Sequence, residues 1–213
     1  MTVSDHFRLP RGPLGHVAGW LMARSSALSA WGVDALQVRA GETALEIGTG
    51  PGIGLVLLAR AGAERVIGID PSAVMLVQAQ RRIAASGVGD RIELREGVAE
   101  RLPLADGSVD AILAVNSVPY WDDPVRGLAE ARRVLRPGGR IVTVLQPRAA
   151  GEFEREAVRE HDRLVAAGFE VLPPLVRPLR PVDACLIAGS VAAAAPRTAR
   201  ASDRSRAQAG CTS

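Results

Sequence analysis

The stretch Ala44-Leu-Glu-Ile-Gly-Thr-Gly-Pro-Gly-Ile-Gly54 sits where an apolar, strand-like run gives way to a helix-like one. Glycines at such a junction let the backbone bend sharply and let a ligand approach the main-chain amides, while the helix N-terminus offers N–H groups with no intrahelical partner. The pattern is Gly-x-Gly-x-Gly, and Ile53 stands where a dinucleotide fingerprint requires its third glycine. Twenty residues after Gly50, Asp70 closes the run Val66-Ile-Gly-Ile-Asp70. A carboxylate there can accept hydrogen bonds from both hydroxyls of an adenosine ribose. The plainer alternative is that Asp70 only caps the helix beginning at Pro71.

Positioning these groups needs a strand before the glycine turn and another ending at the carboxylate. From Thr43 onward, short apolar runs alternate with helical stretches, the pattern of a parallel, doubly wound sheet. The spacing predicts strands at Thr43 to Ile47, Arg65 to Ile69, Arg91 to Arg95, Val109 to Val115 and Arg140 to Leu145. It predicts helices at Gly52 to Ala61, Ser72 to Ala85, Pro124 to Leu135 and Glu152 to Ala167. Final strands are expected at Phe169 to Leu172 and Ala184 to Gly189. The proline-rich run Pro173 to Pro181 between them is confined to a loop or a sheet edge. Ahead of Thr43, Leu14, Val17, Ala18, Leu21 and Met22 recur at helical spacing, and Leu28, Trp31, Ala35 and Leu36 repeat the pattern. Residues 1–42 thus read as a helical cap, residues 43–190 as one α/β domain, and residues 191–213, rich in Ala, Arg and Ser, as a tail too poor in large apolar groups to fold.

Composition narrows the partners. All 26 basic residues are arginine, the net charge is +3, and that excess falls in residues 191–213, leaving the rest formally neutral. With seven aromatic residues and no basic cluster among them, a nucleic-acid partner is not expected. No apolar run reaches the length of a spanning helix, and Asp5, His16 and Trp20 make the N-terminus a poor signal peptide. Cys185 and Cys211 suggest neither a zinc site nor a disulfide framework, no metal is expected, and a cytoplasmic location is the default.

Four ordered segments carry a resemblance. Ala44 to Gly54, Gly68 to Arg82, Glu96-Gly-Val-Ala-Glu-Arg-Leu-Pro-Leu104 and Glu130-Ala-Arg-Arg-Val-Leu-Arg-Pro-Gly-Gly139 look like the class I S-adenosylmethionine-dependent methyltransferases, and most like the ubiquinone and menaquinone biosynthesis branch. The resemblance covers residues 43–146 well. It implies that Glu46 and the backbone of Gly48, Thr49, Gly50 and Gly52 hold the methionine end of S-adenosyl-L-methionine. It also implies that Asp70 holds the ribose, and that Pro71 and Met75 flank the adenine. Met75 is equally a core residue at helical spacing. The family's Gly-Asp-Ala-Glu reads Gly97-Val98-Ala99-Glu100 here, so Val98 replaces the carboxylate that accepts from the adenine amino group, leaving the Ala99 amide to serve. Asn116 falls beside the transferring sulfonium in the family, its alternative being a turn residue.

Methyl transfer from a sulfonium is an in-line displacement, so holding donor and acceptor in attack geometry in a water-poor pocket supplies much of the acceleration. A general base matters only for an acceptor that must lose a proton. Tyr120 and His16 are the candidates, ahead of His6 and of His161, which lies among Glu and Arg on a solvated helix face. Tyr120 and Trp121 follow Asn116 at the carboxyl end of the sheet, where open α/β folds bind ligands, and could contact substrate or merely anchor the loop. The expectation is a Rossmann-like, doubly wound, seven-stranded, mostly parallel sheet with an N-terminal helical cap, acting as a methyltransferase on a small, largely apolar acceptor. The competing readings are a catalytically silent S-adenosylmethionine-binding protein, a phospholipid methyltransferase and a nicotinamide-dependent oxidoreductase. A homodimer stays open.

Overall fold

The computed structural model describes residues 26–147, 152–178 and 183–193. Its helices are α1 (Ser26–Leu36), α2 (Ile53–Arg60), α3 (Ala73–Ala84), α4 (Pro124–Val134) and α5 (Phe153–Ala166). Its strands are β1 (Thr43–Ile47), β2 (Arg65–Asp70), β3 (Ile92–Glu96), β4 (Val109–Val115), β5 (Leu135–Leu145), β6 (Glu170–Val171), β7 (Leu175–Arg177) and β8 (Ala184–Ser190). The strand order is β3-β2-β1-β4-β5-β8-β6, with β7 also paired to β8. The first five strands are parallel, and β8 runs antiparallel to β5. Because β6 and β7 pair successive stretches of β8, they form one edge line interrupted by Pro173 and Pro174. The seven-stranded, mostly parallel sheet expected from the sequence is thus present, its outer edge split where prolines remove ladder donors.

Two-residue alternation distributes the apolar groups to both faces, as a sheet covered on both sides requires. On one face Ala44, Val66, Leu113, Val144 and Leu186 pack under Leu28, Val33 and Leu36 of α1, Leu55 and Leu58 of α2, and Ile83 of α3. On the other, Leu45, Ile67, Ile112, Ile141 and Ile187 meet Leu128, Ala131 and Val134 of α4 and Leu164 of α5. The second expected cap helix is therefore α1, a member of the layer covering the sheet. Its C-terminal end is held by Arg140, which donates to the carbonyls of Leu36 and Gln37 and pairs with Glu42 at 2.7 Å. That guanidinium also holds the Glu42 carboxyl below its usual range and satisfies carbonyls the helix end leaves without partners.

Two boundaries differ from expectation for visible reasons. The strand expected at Arg140 starts at Leu135, because Leu135 pairs with Val109 across an irregular register that accommodates Pro137, Gly138 and Gly139. Val191, assigned by composition to the tail, exchanges backbone hydrogen bonds with Gly138 and Gly139. The first expected helix, Leu14 to Ala23, and residues 194–213 lie outside the described residues. No described helix is long and apolar enough to cross a membrane.

Candidate cofactor and acceptor site

The chain builds β1, β2 and β3 outward in one direction, then returns to place β4 on the other side of β1. The carboxyl ends of β1 and β4 therefore flank the point where the winding reverses, and open α/β sheets leave a crevice there. Three of the expected site segments converge on it: the glycine turn after β1, Asp70 at the end of β2 and Asn116 after β4.

The turn is held from below. The amides of Gly48 and Thr49 both donate to the Ile69 carbonyl, at 2.8 and 3.3 Å. Gly50 donates its amide to Asp70 Oδ2 at 2.8 Å, while Asp70 Oδ1 accepts from the Ser72 amide at 2.9 Å. Asp70 is thus the clasp between the glycine turn and the start of α3. The N-cap of α3 is Ser72, whose hydroxyl accepts from the Met75 amide, so the simple capping reading of Asp70 is set aside. Burial pushes the Asp70 carboxyl up to about 6, against the pull of those two amides.

Glu46 lies beneath the same turn. It is 2 % exposed, the Leu55 amide at the start of α2 donates to its carboxylate, and Oε2 is buried without a hydrogen-bond partner. Desolvation first, and the nearby Asp70 carboxylate second, raise its pKa well above the ordinary range. Gly54 is required by this arrangement, since a Cβ built there would land on the Glu46 carboxylate. Gly52 opens α2 with a φ of 77° and no side-chain cap, so the first amides of α2 face the turn.

Ser117, not singled out from the sequence, joins the two halves of the crevice. Its hydroxyl donates to the Ile47 carbonyl at 2.8 Å across the switch point, and its side chain occupies the space a Cβ on Gly48 would need. Gly48 has a φ of +75°, so Gly48→Ala meets both backbone strain and a packed neighbour. We expect that variant to lose about 2 kcal/mol of stability in urea unfolding. An unchanged midpoint would contradict the packing described here.

Asn116 has a φ of 50°, an uncommon backbone for a residue with a side chain. Its amide donates to the Val144 carbonyl and its Oδ1 accepts from the Gln146 amide, both at 2.7 Å. It therefore makes the turn and also ties the ends of β4 and β5 together at the crevice. Tyr120 follows on a short 3-10 turn, half-buried, its amide donating to the Ser117 carbonyl. Trp121 is an anchor: a Cβ on Gly127 of α4 would strike its ring, and the indole packs with the α4-side core.

Met75 is 1 % exposed and Pro71 is exposed, so one is enclosed at the first turn of α3 while the other borders solvent after Asp70. Beyond β3, Val98 is 41 % exposed and Ala99 is buried. Arg133 holds the loop that follows, donating to the Leu102 and Leu104 carbonyls, and Glu130 accepts from the Leu102 amide. These two side chains tie the segment Glu96 to Leu104 to the segment Glu130 to Gly139. His16 lies outside the described residues, and His161 stands on the outer helix α5 beside Asp162. Among the described residues no group of three His, Cys, Asp or Glu is placed to hold a metal ion.

A family described as a methyltransferase domain matches residues 45–143. The uncharacterized methyltransferase YdaC of Bacillus subtilis is 32 % identical over 174 residues, 78 % of this chain and 92 % of that protein. The ubiquinone/menaquinone biosynthesis C-methyltransferase UbiE of Roseobacter denitrificans is 34 % identical over 53 % of this chain and 45 % of its own length. Apart from YdaC, the chain spans about a third to a half of the length of the first curated relatives it matches. Among solved structures, the putative methyltransferase in complex with the Trm112 activator of Haloferax volcanii superposes with a TM-score of 0.70 at 20 % identity, covering 84 % of this chain and 94 % of that one. With the fold, the matched domain and a relative spanned almost end to end, the chain belongs to the class I S-adenosylmethionine-dependent methyltransferases.

Proposed function

We propose that this chain moves the methyl group of S-adenosylmethionine to a small, largely apolar acceptor. One observation carries the reading: the half-satisfied carboxylate of Glu46, buried under the glycine turn that Asp70 pins. A buried carboxylate oxygen without a donor is costly unless a ligand supplies one. The ammonium at the methionine end of the cofactor would supply the missing donor, and the sulfonium adds positive charge nearby. Asp70 would exchange or share its amide partners with the ribose hydroxyls, and the open amides at the start of α2 would meet the carboxylate end. When bound, the cofactor supplies an activated methyl group. The residues of this chain orient it and keep water away.

Acceptor chemistry follows from what the carboxyl ends of β4 and β5 present. Val115, Asn116, Ser117, Tyr120, Leu145 and Gln146 are uncharged, which suits a weakly polar acceptor. The relationship to a protein named for quinone C-methylation supports the same chemistry. In this reading Tyr120 would take a proton from an acceptor that must lose one. A cap formed by residues before Thr43 is part of this reading. Gly32 of α1 packs against Leu113 and Val144 while the Leu36 carbonyl reaches Arg140, so α1 runs against the strands and its first residue, Ser26, stands at the crevice side.

Isothermal titration with S-adenosylhomocysteine, followed by a labelled-methyl screen of aromatic and aliphatic acceptors, tests the proposal. Folded protein that does not bind the product would overturn it. Asp70→Ala should weaken binding by about tenfold or more, through lost charge-assisted hydrogen bonds. It should also lower stability, because the Gly50 and Ser72 amides lose their acceptor. The exposed Val98, where the family carries a carboxylate, favours a second reading, a protein that binds the cofactor without turnover. Binding with no labelled product from any acceptor would support that reading.

A further inference from the structure

Running from the glycine turn along the outer side of the molecule, an open groove of about 560 Å³ between α2 and α3 is lined by Arg60, Arg81 and Arg82 against Ile53, Val56 and Leu57. No acidic residue lines it. Among the described residues, none of these three guanidiniums joins an ion pair, whereas Arg65, Arg95, Arg133 and Arg140 are each matched with a carboxylate. The three exposed guanidiniums stand in the last turns of α2 and α3, where the helix C-termini favour cations, and together they give the groove a positive field that an anion would meet.

Two of the three are held in place. Arg60 donates from Nη2 to the Ser86 carbonyl at 3.2 Å, and Arg82 donates from Nε to the Pro51 carbonyl at 2.8 Å. Each bond uses one N–H of a five-donor group and leaves the others for a ligand. The Arg81 guanidinium makes no hydrogen bond or ion pair among the described residues. Guanidinium forks match the oxygens of a phosphate, and the apolar side of the groove suits an uncharged organic body.

We propose that this groove binds a small phosphate monoester, its dianion held by Arg60, Arg81 and Arg82 and its organic part laid against Ile53, Val56 and Leu57. The groove adjoins the glycine turn at Pro51, but its three arginines stand on α2 and α3 and the proposal does not rest on the methyl-donor reading. Phenyl phosphate is the probe, titrated calorimetrically into the full chain at low ionic strength. The expected result is saturable one-to-one binding, weakened about fivefold by Arg81→Gln and at least about twentyfold by the Arg60→Gln, Arg81→Gln pair. The Arg81 side chain is exposed and holds no other described residue, so its variant should keep the wild-type melting temperature. No saturable binding up to about 10 mM overturns the proposal. So does binding indifferent to Arg81→Gln, the mark of a phosphate seated on the glycine turn. S-adenosylhomocysteine titration is a separate measurement, so failure of the methyltransferase reading would leave this result standing.

Discussion

Glu46→Gln will weaken S-adenosylhomocysteine binding by about a hundredfold, roughly 2.7 kcal/mol, while making the ligand-free protein more stable at pH 8. The two effects share one cause. Glu46 is wholly buried, one oxygen meets the Leu55 amide, and the other has no donor. An uncompensated carboxylate in that position costs the empty protein free energy, and a neutral isostere of the same shape relieves about 1–3 kcal/mol of it. The same carboxylate is the group able to meet a cationic ligand beneath the turn, so its loss falls on affinity. Urea unfolding and calorimetry, done on one preparation, measure both. Unchanged affinity would remove Glu46 from the binding site, and lowered stability would show that its charge is already compensated.

The parts of this site that could be read from the sequence are those whose chemistry is local. Glycines with positive φ at a strand-to-helix junction, and a carboxylate closing the next strand, announce themselves by residue type and spacing. The strands were legible because a parallel sheet covered on both faces leaves short apolar runs between helical stretches. Ser117 was not legible. Its partner is the Ile47 carbonyl 70 residues earlier, and a serine in a loop carries no sign of that bond. Arg133 and Glu130 stood inside a recognised segment, yet their task, holding the backbone from Leu102 to Leu104, exists only once β3 and α4 are packed. The early start of β5 was hidden for a different reason. Pro137, Gly138 and Gly139 separate Leu135 from the apolar run that starts at Arg140, and the irregular pairing with β4 absorbs them. Asp70 lies between these cases. Spacing marked its importance, but its hold on Gly50 and Ser72 makes it a structural clasp as well as a candidate ligand group.

The ligand-free protein should lose several kcal/mol of stability as pH rises from about 4 to 8, the reverse of the usual behaviour of paired surface carboxylates. Glu160 on α5 accounts for the largest separable share. It is fully buried against Thr143 of β5 and Cys185 of β8, and desolvation pushes its carboxyl up to about 7. The opposing pulls of Arg163, 3.4 Å from Oε2, and of the nearby Thr143 hydroxyl are incomplete, and Oε1 makes no hydrogen bond of normal geometry. Glu156 adds like charge nearby. An acid whose folded pKa lies above its unfolded value binds more protons when folded. Its contribution is therefore complete below about pH 4.5 and lost as pH passes about 7, amounting to about 3 kcal/mol. Glu160→Gln should flatten the stability profile across that window and raise the stability at pH 8. A variant with the wild-type slope would mean that Glu160 is charged and compensated throughout. Asp70 adds a similar fall ending near pH 6, and it carries a second consequence. Because a hydroxyl-donating ligand favours its ionised form, S-adenosylhomocysteine should bind more tightly as pH rises from 5 to 7. Asp70→Asn, which has no proton to lose in that range, should abolish its share of the dependence while leaving the Glu160 share of the stability profile intact.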